Sequence, residues 1–284
     1  MAEPNLTKPL SQKIGFIGGG NMAKAICEGL VSKGLIPYEQ IHVSGPRLDN
    51  LTWWSQKGCK VFEHNGYLIE TTDVIFICVK PHILQTAIDD INKTHKPDQF
   101  QSKLYISILA GVTLQQLASK LHPYNARIIR TMPNTPMTVG EGCTLYTPHS
   151  TATKTDIELL NRMLSSTGLC REIPEHLIDT AGALTGSGPA FVYMMLEALA
   201  DGAVFMGLPR AWATEFAAQM ALGAAKMARD STKHTGQLKD EVCSPGGSTI
   251  RGVRALEEHN MRAAFMDAIE KAALRSAEIG KAGQ

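Results

Sequence analysis

Residues 14–23 read IGFIGGGNMA, and they limit the fold more than any other stretch of the chain. An apolar run ends at Gly18, and Gly18-Gly19-Gly20-Asn21-Met22-Ala23 leads into a helical pattern in Met22, Ile26 and Leu30. This is Gly-x-Gly-x-x-Ala with a strand before it and a helix after it, the context in which the motif binds a dinucleotide. Gly18 permits the tight turn, Gly20 lets the backbone approach a pyrophosphate, and Ala23 lets helix and strand pack closely. The helix start then offers free amides and a positive dipole end to the phosphates.

A strand is expected over 40–43, followed by Ser44-Gly45-Pro46-Arg47. Enzymes that use NAD usually carry Asp or Glu about 20 residues past the glycines, to hold the ribose 2′-hydroxyl. A hydroxyl and a guanidinium suit a 2′-phosphate instead, so Ser44 and Arg47 point to NADPH, with NADH possible. The run 73–79 is continuously apolar, as in a strand buried on both faces. Ligands lie beyond the carboxyl ends of such strands, so Val79, Lys80 and Pro81 should line the cofactor cleft, although Lys80 could equally be a surface lysine. Further strands are expected at 104–109, 127–130, 143–146 and 170–173. The prolines around Asn134-Thr135 predict a rigid turn, rather than a helix, over the nicotinamide end of the cleft.

From Glu175 the chain turns Ala-rich and Met-rich. Helices are expected at about 174–184, 189–206, 209–230, 236–242, 249–258 and 261–280, with breaks at 185–189, 207–209 and 243–248. Small residues such as Ala200, Ala203, Ala217 and Ala221 read as helix contacts in a core or a subunit interface. The expected architecture is therefore α/β: a Rossmann-like doubly wound sheet followed by an all-α dimerisation domain. Its parts are a flexible tail at 1–12, a dinucleotide-binding domain at 13–174 and a helical substrate-binding and dimerisation domain at 175–284. So few residues in helices make a thin core, which an interlocked homodimer would thicken.

Composition excludes several classes. The net charge of +1, without a Lys/Arg run, argues against a nucleic-acid partner. No apolar stretch is expected to approach the roughly 20 residues that span a bilayer, so no membrane is expected. The opening MAEPNLTKPLSQK has neither a secretory core nor an Arg-rich transit character, which reads as cytoplasmic, with mitochondria second. Six cysteines without Cys-x-x-Cys or a Cys/His cluster read as reduced thiols, with no structural disulfide and no metal.

At 186–196 a hydroxyacid dehydrogenase would carry a proton-transfer lysine and an asparagine, but Val192 and Leu196 stand there. Neither can move a proton. A cyclic imine needs less help, because its nitrogen takes the proton in solution and the iminium carbon accepts a hydride. Catalysis is then mainly positioning. Ser244-Pro245-Gly246-Gly247-Ser248-Thr249 supplies a matching feature: successive amides and hydroxyls at the mouth of a helix, fit for a small carboxylate. Thr249 could then reach a ring nitrogen. A plain helix cap at Ser248 or Thr249 is the alternative; two glycines, where a turn needs one, favour the anion site. A cofactor sensor that keeps the fold without catalysis would need no such nest.

IGFIGGGNMA at 14–23, VKPH at 79–82, RTMPNTP at 130–136, LTGSGPAF at 184–191, MGLPR at 206–210 and QLKDEVCSPGGSTIRGVRALE at 237–257 together resemble the pyrroline-5-carboxylate reductase family over nearly the whole chain. The resemblance implies reduction of L-1-pyrroline-5-carboxylate to L-proline with NAD(P)H, a domain-swapped dimer and a ring of five dimers. It implies that the Ser244 hydroxyl and the amides of Ser248 and Thr249 hold the substrate carboxylate, with Gly246 and Gly247 shaping the turn and Thr249 at the imine nitrogen. It also implies cofactor contacts at Ile17, Gly18, Gly19, Gly20, Asn21, Met22, Ser44, Asn65, Val79, Lys80 and Pro81.

Overall fold

The computed structural model describes residues 8–97 and 101–282. The chain divides into two compact units. One runs to Gly186 and takes in the chain from Ala272; the other is Ser187–Lys271. The change of unit after Gly186 lies within the segment 175–284 that the sequence assigns to the helical domain. Of the tail expected at 1–12, residues 1–7 lie outside the described residues. Leu10 is docked: its side chain is buried and its N–H donates to Leu35 O (2.7 Å).

The first unit is built on one sheet of β1 (Ile14–Ile17), β2 (Ile41–Ser44), β3 (Lys60–Phe62), β4 (Val74–Ile77), β5 (Leu104–Ser107), β6 (Arg127–Met132), β7 (Gly142–Pro148) and β8 (Gly168–Glu172). Their order is β3-β2-β1-β4-β5-β6-β7-β8. All pairs are parallel except β6 with β7. Sequence alone misses β3, because three residues starting on an exposed lysine carry no usable period.

Helices cover both faces: α1 (Asn21–Ser32), α2 (Thr52–Gln56), α3 (Asn65–Thr71), α4 (Leu84–Thr94), α5 (Leu114–Leu121), α6 (Lys154–Leu164) and α7 (Ile178–Gly182). The period of two in the strands sorts the core. Ile14, Phe16, Val74 and Phe76 join one apolar cluster with Ile26 and Leu160; Ile17, Ile75 and Ile77 join another with Leu68 and Ile88. Strands walled on both faces explain runs as apolar as VIFI.

The second unit holds α8 (Gly188–Phe205), α9 (Arg210–Asp230), α10 (Thr235–Val242) and α11 (Ser248–Glu258); α12 (Met261–Ala282) begins in it and ends in the first. Its buried apolar residues are Ala200, Ala213 and Ala217, with Leu196, Ala203, Val204 and Leu208 packed around them. Small side chains thus make the α8–α9 contact.

Two expectations need correction. The break at 185–189 is absent: Ala183–Ser187 forms a π-helical turn that runs into α8. Pro189 brings no N–H for the carbonyl four residues earlier, that of Thr185. The widened turn accommodates the proline ring, and Asn134 Nδ2 donates to Thr185 O (3.0 Å). As a result Glu175–Phe205, 31 residues, is a helical run long and apolar enough by length and composition to cross a membrane, contrary to the sequence reading. In the second case, where a turn rather than a helix is expected, Met132 ends β6 and Thr135–Val139 forms a 3-10 helix, with Pro136 near its N-terminus and left-handed Gly140 closing it.

Candidate functional site

Strand order reverses at β1, whose neighbours β2 and β4 lead away in opposite directions. Ligands of open α/β sheets bind in the crevice at such a point. A cleft of about 120 Å³ lies there, lined among others by Ile17, Gly18, Ser44, Asn65, Val79 and Asp90. Gly18 has φ +95°, and a Cβ on it would come within 2.9 Å of Cys78 O. Its N–H donates to Ser44 O (2.9 Å), and Cys78 N–H donates to Ile17 O (2.8 Å), so the turn is tied to the ends of β2 and β4. Gly19 O accepts from Trp54 Nε1 (3.1 Å). Gly20 starts α1 with no side-chain cap, and a Cβ on it would meet nothing within 4 Å. Open backbone beside uncapped amides is what a pyrophosphate requires, so these residues fit a dinucleotide. Asn21 and Met22 form the first turn of α1.

Ser44 and Asn65, read separately in the sequence, are a bonded pair. Ser44 is fully buried and its hydroxyl donates to Asn65 Oδ1 (2.7 Å), while Asn65 Nδ2 donates to Ala87 O (2.8 Å). Asn65 N–H donates to Asp90 Oδ2 (2.8 Å), and Asp90 also meets His64 Nδ1 (2.9 Å) and Lys93 Nζ (3.4 Å). Burial pushes the Asp90 carboxyl up, but the hydrogen bonds from Asn65, His64 and Lys93 outweigh it and leave it below the usual range. Arg47 and Lys80 are exposed, each just before a short 3-10 turn, and neither lines the cleft; Pro81 opens the turn after Lys80. Sequence reasoning missed Trp54 and Asp90. The only local signal for Trp54 is a Trp-Trp pair in a polar stretch.

In the second unit, Ser244-Pro245-Gly246-Gly247 makes a β-turn closed by Gly247 N–H to Ser244 O (3.1 Å). Gly246, at φ +71°, takes the third position, which in a type II turn demands a left-handed residue. Gly247 is the N-cap of α11, which has no side-chain cap, and Ser248 and Thr249 are its first two residues. The alternative of Ser248 or Thr249 as a capping side chain is thereby excluded. By contrast, α5 and α6 open with complete capping boxes, Thr113/Gln116 and Thr153/Asp156. A Cβ on Gly247 would collide with Ser244 Oγ, so that hydroxyl lies against the turn beside the amides. The assembly can hold a small carboxylate by backbone donors plus one hydroxyl. Among the described residues, no three His, Cys, Asp or Glu side chains stand close enough to hold a metal ion.

A doubly wound sheet with an open glycine turn at its switch point, followed by a helical unit, defines a dinucleotide-dependent oxidoreductase. Residues 13–111 match the family model described as NADP oxidoreductase, coenzyme F420-dependent, and residues 175–279 match the one described as pyrroline-5-carboxylate reductase dimerisation. The chain is 40% identical over 270 residues to pyrroline-5-carboxylate reductase 2 of Bos taurus, covering 94% of this chain and 83% of that one. It is 40% identical over 274 residues to the pyrroline-5-carboxylate reductase of Methanosarcina acetivorans, covering 95% and 99%. The crystal structure of Plasmodium falciparum pyrroline carboxylate reductase with NADP bound superposes with a TM-score of 0.86 at 32% identity, covering 96% of this chain and all of that one. The chain belongs to the pyrroline-5-carboxylate reductase family, and its helical half is the family's dimerisation domain.

Proposed function

We propose that this chain reduces L-1-pyrroline-5-carboxylate to L-proline, the last step of proline synthesis, with NADPH as donor and NADH as an alternative. The observation that carries the reading is the 244–249 turn: a glycine-started, uncapped helix beside a serine hydroxyl, in a chain of this family. Residues 13–174 are assigned to the dinucleotide and 175–284 to substrate binding and dimerisation. NADPH, when bound, supplies the hydride that adds to the imine carbon.

The turn Ile17–Met22 takes the pyrophosphate. Val79, Lys80 and Pro81 flank the cofactor, the Ser44–Asn65 pair braces its ribose side, and Arg47 offers a charge to the 2′-phosphate. Ser244 and the amides of Ser248 and Thr249 grip the substrate carboxylate, in a turn shaped by Gly246 and Gly247. The Thr249 hydroxyl bonds the ring nitrogen as that nitrogen becomes an amine. No acid–base pair is required, because the iminium already carries its proton; the protein's contribution is positioning. Five dimers in a ring and a cytoplasmic location belong to the same proposal, carried by the sequence resemblance.

NADPH absorbance with pyrroline-5-carboxylate tests the reaction; no oxidation between pH 5 and 9 would overturn it. Gly247→Val, which drives a side chain into Ser244 Oγ, should abolish turnover while sparing NADPH binding. An active variant would remove the turn from the site.

A further inference from the structure

We propose that Trp54 is a positioning residue for the dinucleotide turn: its indole N–H fixes the Gly19–Gly20 peptide so that the Gly20 amide faces the pyrophosphate. The inference rests on the NADPH reading above. Trp54 is fully buried on α2 and packs against Phe16 of β1, with ring centroids 5.5 Å apart; Phe16 in turn stacks on Phe76 of β4 at 5.2 Å. The indole therefore has the sheet as a rigid backing. Its Nε1 donates to Gly19 O at 3.1 Å. A planar trans peptide points its C=O and its N–H in opposite directions. With the Gly19 carbonyl held toward Trp54, the Gly20 N–H is turned away from it, while the space around Gly20 is open.

The fit is reciprocal. A Cβ on residue 19 would come within 2.6 Å of both Trp54 Nε1 and Leu51 Cδ2, so the bond exists because residue 19 is glycine. Without Gly19 O, a fully buried N–H would need another acceptor. Trp53 meets Trp54 edge-on at 5.0 Å, and Lys24 of α1 lies 5.2 Å from the Trp53 ring centroid. The aromatic pair thus spans from the glycine turn to the helix that follows it. A five-residue helix with no active-site motif of its own sets the orientation of one phosphate-binding amide.

The test is calorimetric titration of the intact protein with NADPH and with adenosine 2′-phosphate, which lacks the pyrophosphate. Trp54→Phe keeps the aromatic packing and removes the hydrogen bond. The NADPH Kd should rise about five- to tenfold, as expected for one lost hydrogen bond. The adenosine 2′-phosphate Kd should change less than about twofold on the same reasoning, and kcat at saturating NADPH should hold. Gly19→Ala should weaken NADPH in the native background, and by a smaller factor when Trp54→Phe is also present, because the two changes act on one contact. An unchanged NADPH Kd in Trp54→Phe, or equal weakening of both ligands, would overturn the proposal. If Trp54→Phe does not fold, Gly19→Ala decides alone, and an unchanged NADPH Kd again overturns it. Failure of the unsubstituted protein to bind either ligand would instead sink the cofactor reading itself.

Discussion

The sheet unit buries what it must; the helical unit does not. Strands β1, β2, β4 and β5 are buried along their whole length, and the largest enclosed side chains, Trp54, Arg130, Tyr105 and Tyr124, all belong to the sheet unit. In the helical unit the buried apolar residues are alanines, while Met194, Phe205, Met206, Trp212 and Phe216 are each more than half exposed in the single chain. Such a large apolar surface marks an interaction face, and a helix as apolar as Glu175–Phe205 meets that description as well as it meets the length of a membrane span. One unit is closed by its own sequence; the other is shaped to be closed by a second copy, in line with the dimerisation model it matches.

The sharpest way to break this contrast is to charge the helical face. Phe216→Glu should cost about 4 kcal/mol of association, roughly a thousandfold in dimer affinity, and lower the mass seen by light scattering while NADPH binding survives. Unaltered mass would mean that α9 lies outside the interface.

Next in size is a cut within the sheet unit. Arg130 is 1% exposed and pairs with Asp179 (2.8 Å) and Glu175 (3.2 Å), which also accept from Ser276 Oγ and Leu114 N–H. Arg130→Met removes the cation from two acids that remain near each other, and should cost about 3 kcal/mol in denaturant unfolding. A loss below about 1 kcal/mol, the scale of a surface pair, would show that solvent satisfies those acids.

A smaller effect separates chemistry from folding. Thr249→Ala should lower kcat/KM by about 2 kcal/mol, roughly thirtyfold, as for a lost hydrogen bond to a charged group, with the melting temperature unchanged. An unchanged kcat/KM would take Thr249 out of the site.

The smallest is a pH effect confined to the sheet unit. His42 is buried on β2 against Thr71 Oγ1 (2.9 Å). Burial, with Lys60 and Lys13 adding repulsion, pushes it down to about 4. The unfolded imidazole takes its proton near 6.5, so the unfolded chain binds that proton first as pH falls. Stability is complete above about 6.5 and declines between there and 4, by about 1 kcal/mol at pH 5.5. His42→Asn should remove that share of the slope in urea titrations at pH 7 and 5.5, and an equal slope in both proteins would reassign it.

Much of the fold was legible because its signals are local. The glycine turn, the apolar strands and most helix limits are written within about ten neighbouring residues each. The turn at 244–247 and the helix start after it were legible for the same reason, since Pro-Gly-Gly sets that geometry in place. The misses share the opposite property. Gly and Pro alone predict a break at 185–189, where a π-helical turn carries the chain on and its Thr185 carbonyl accepts from Asn134, which itself accepts from Cys143 N–H. Trp54 finds Gly19 across 35 residues, and Arg130 finds its acids across 45 and 49.

The sequence by itself determined the class of sheet, the glycine turn after β1, the helical second half and the family, because periodicity and glycine placement act through bonded neighbours. Only the tertiary structure decided that Ser44 is committed to Asn65, that Gly247 rather than a side chain begins α11, and that a buried indole binds the Gly19 carbonyl. Those outcomes depend on which side chains arrive in the same few ångströms, and packing decides that between residues far apart in the chain.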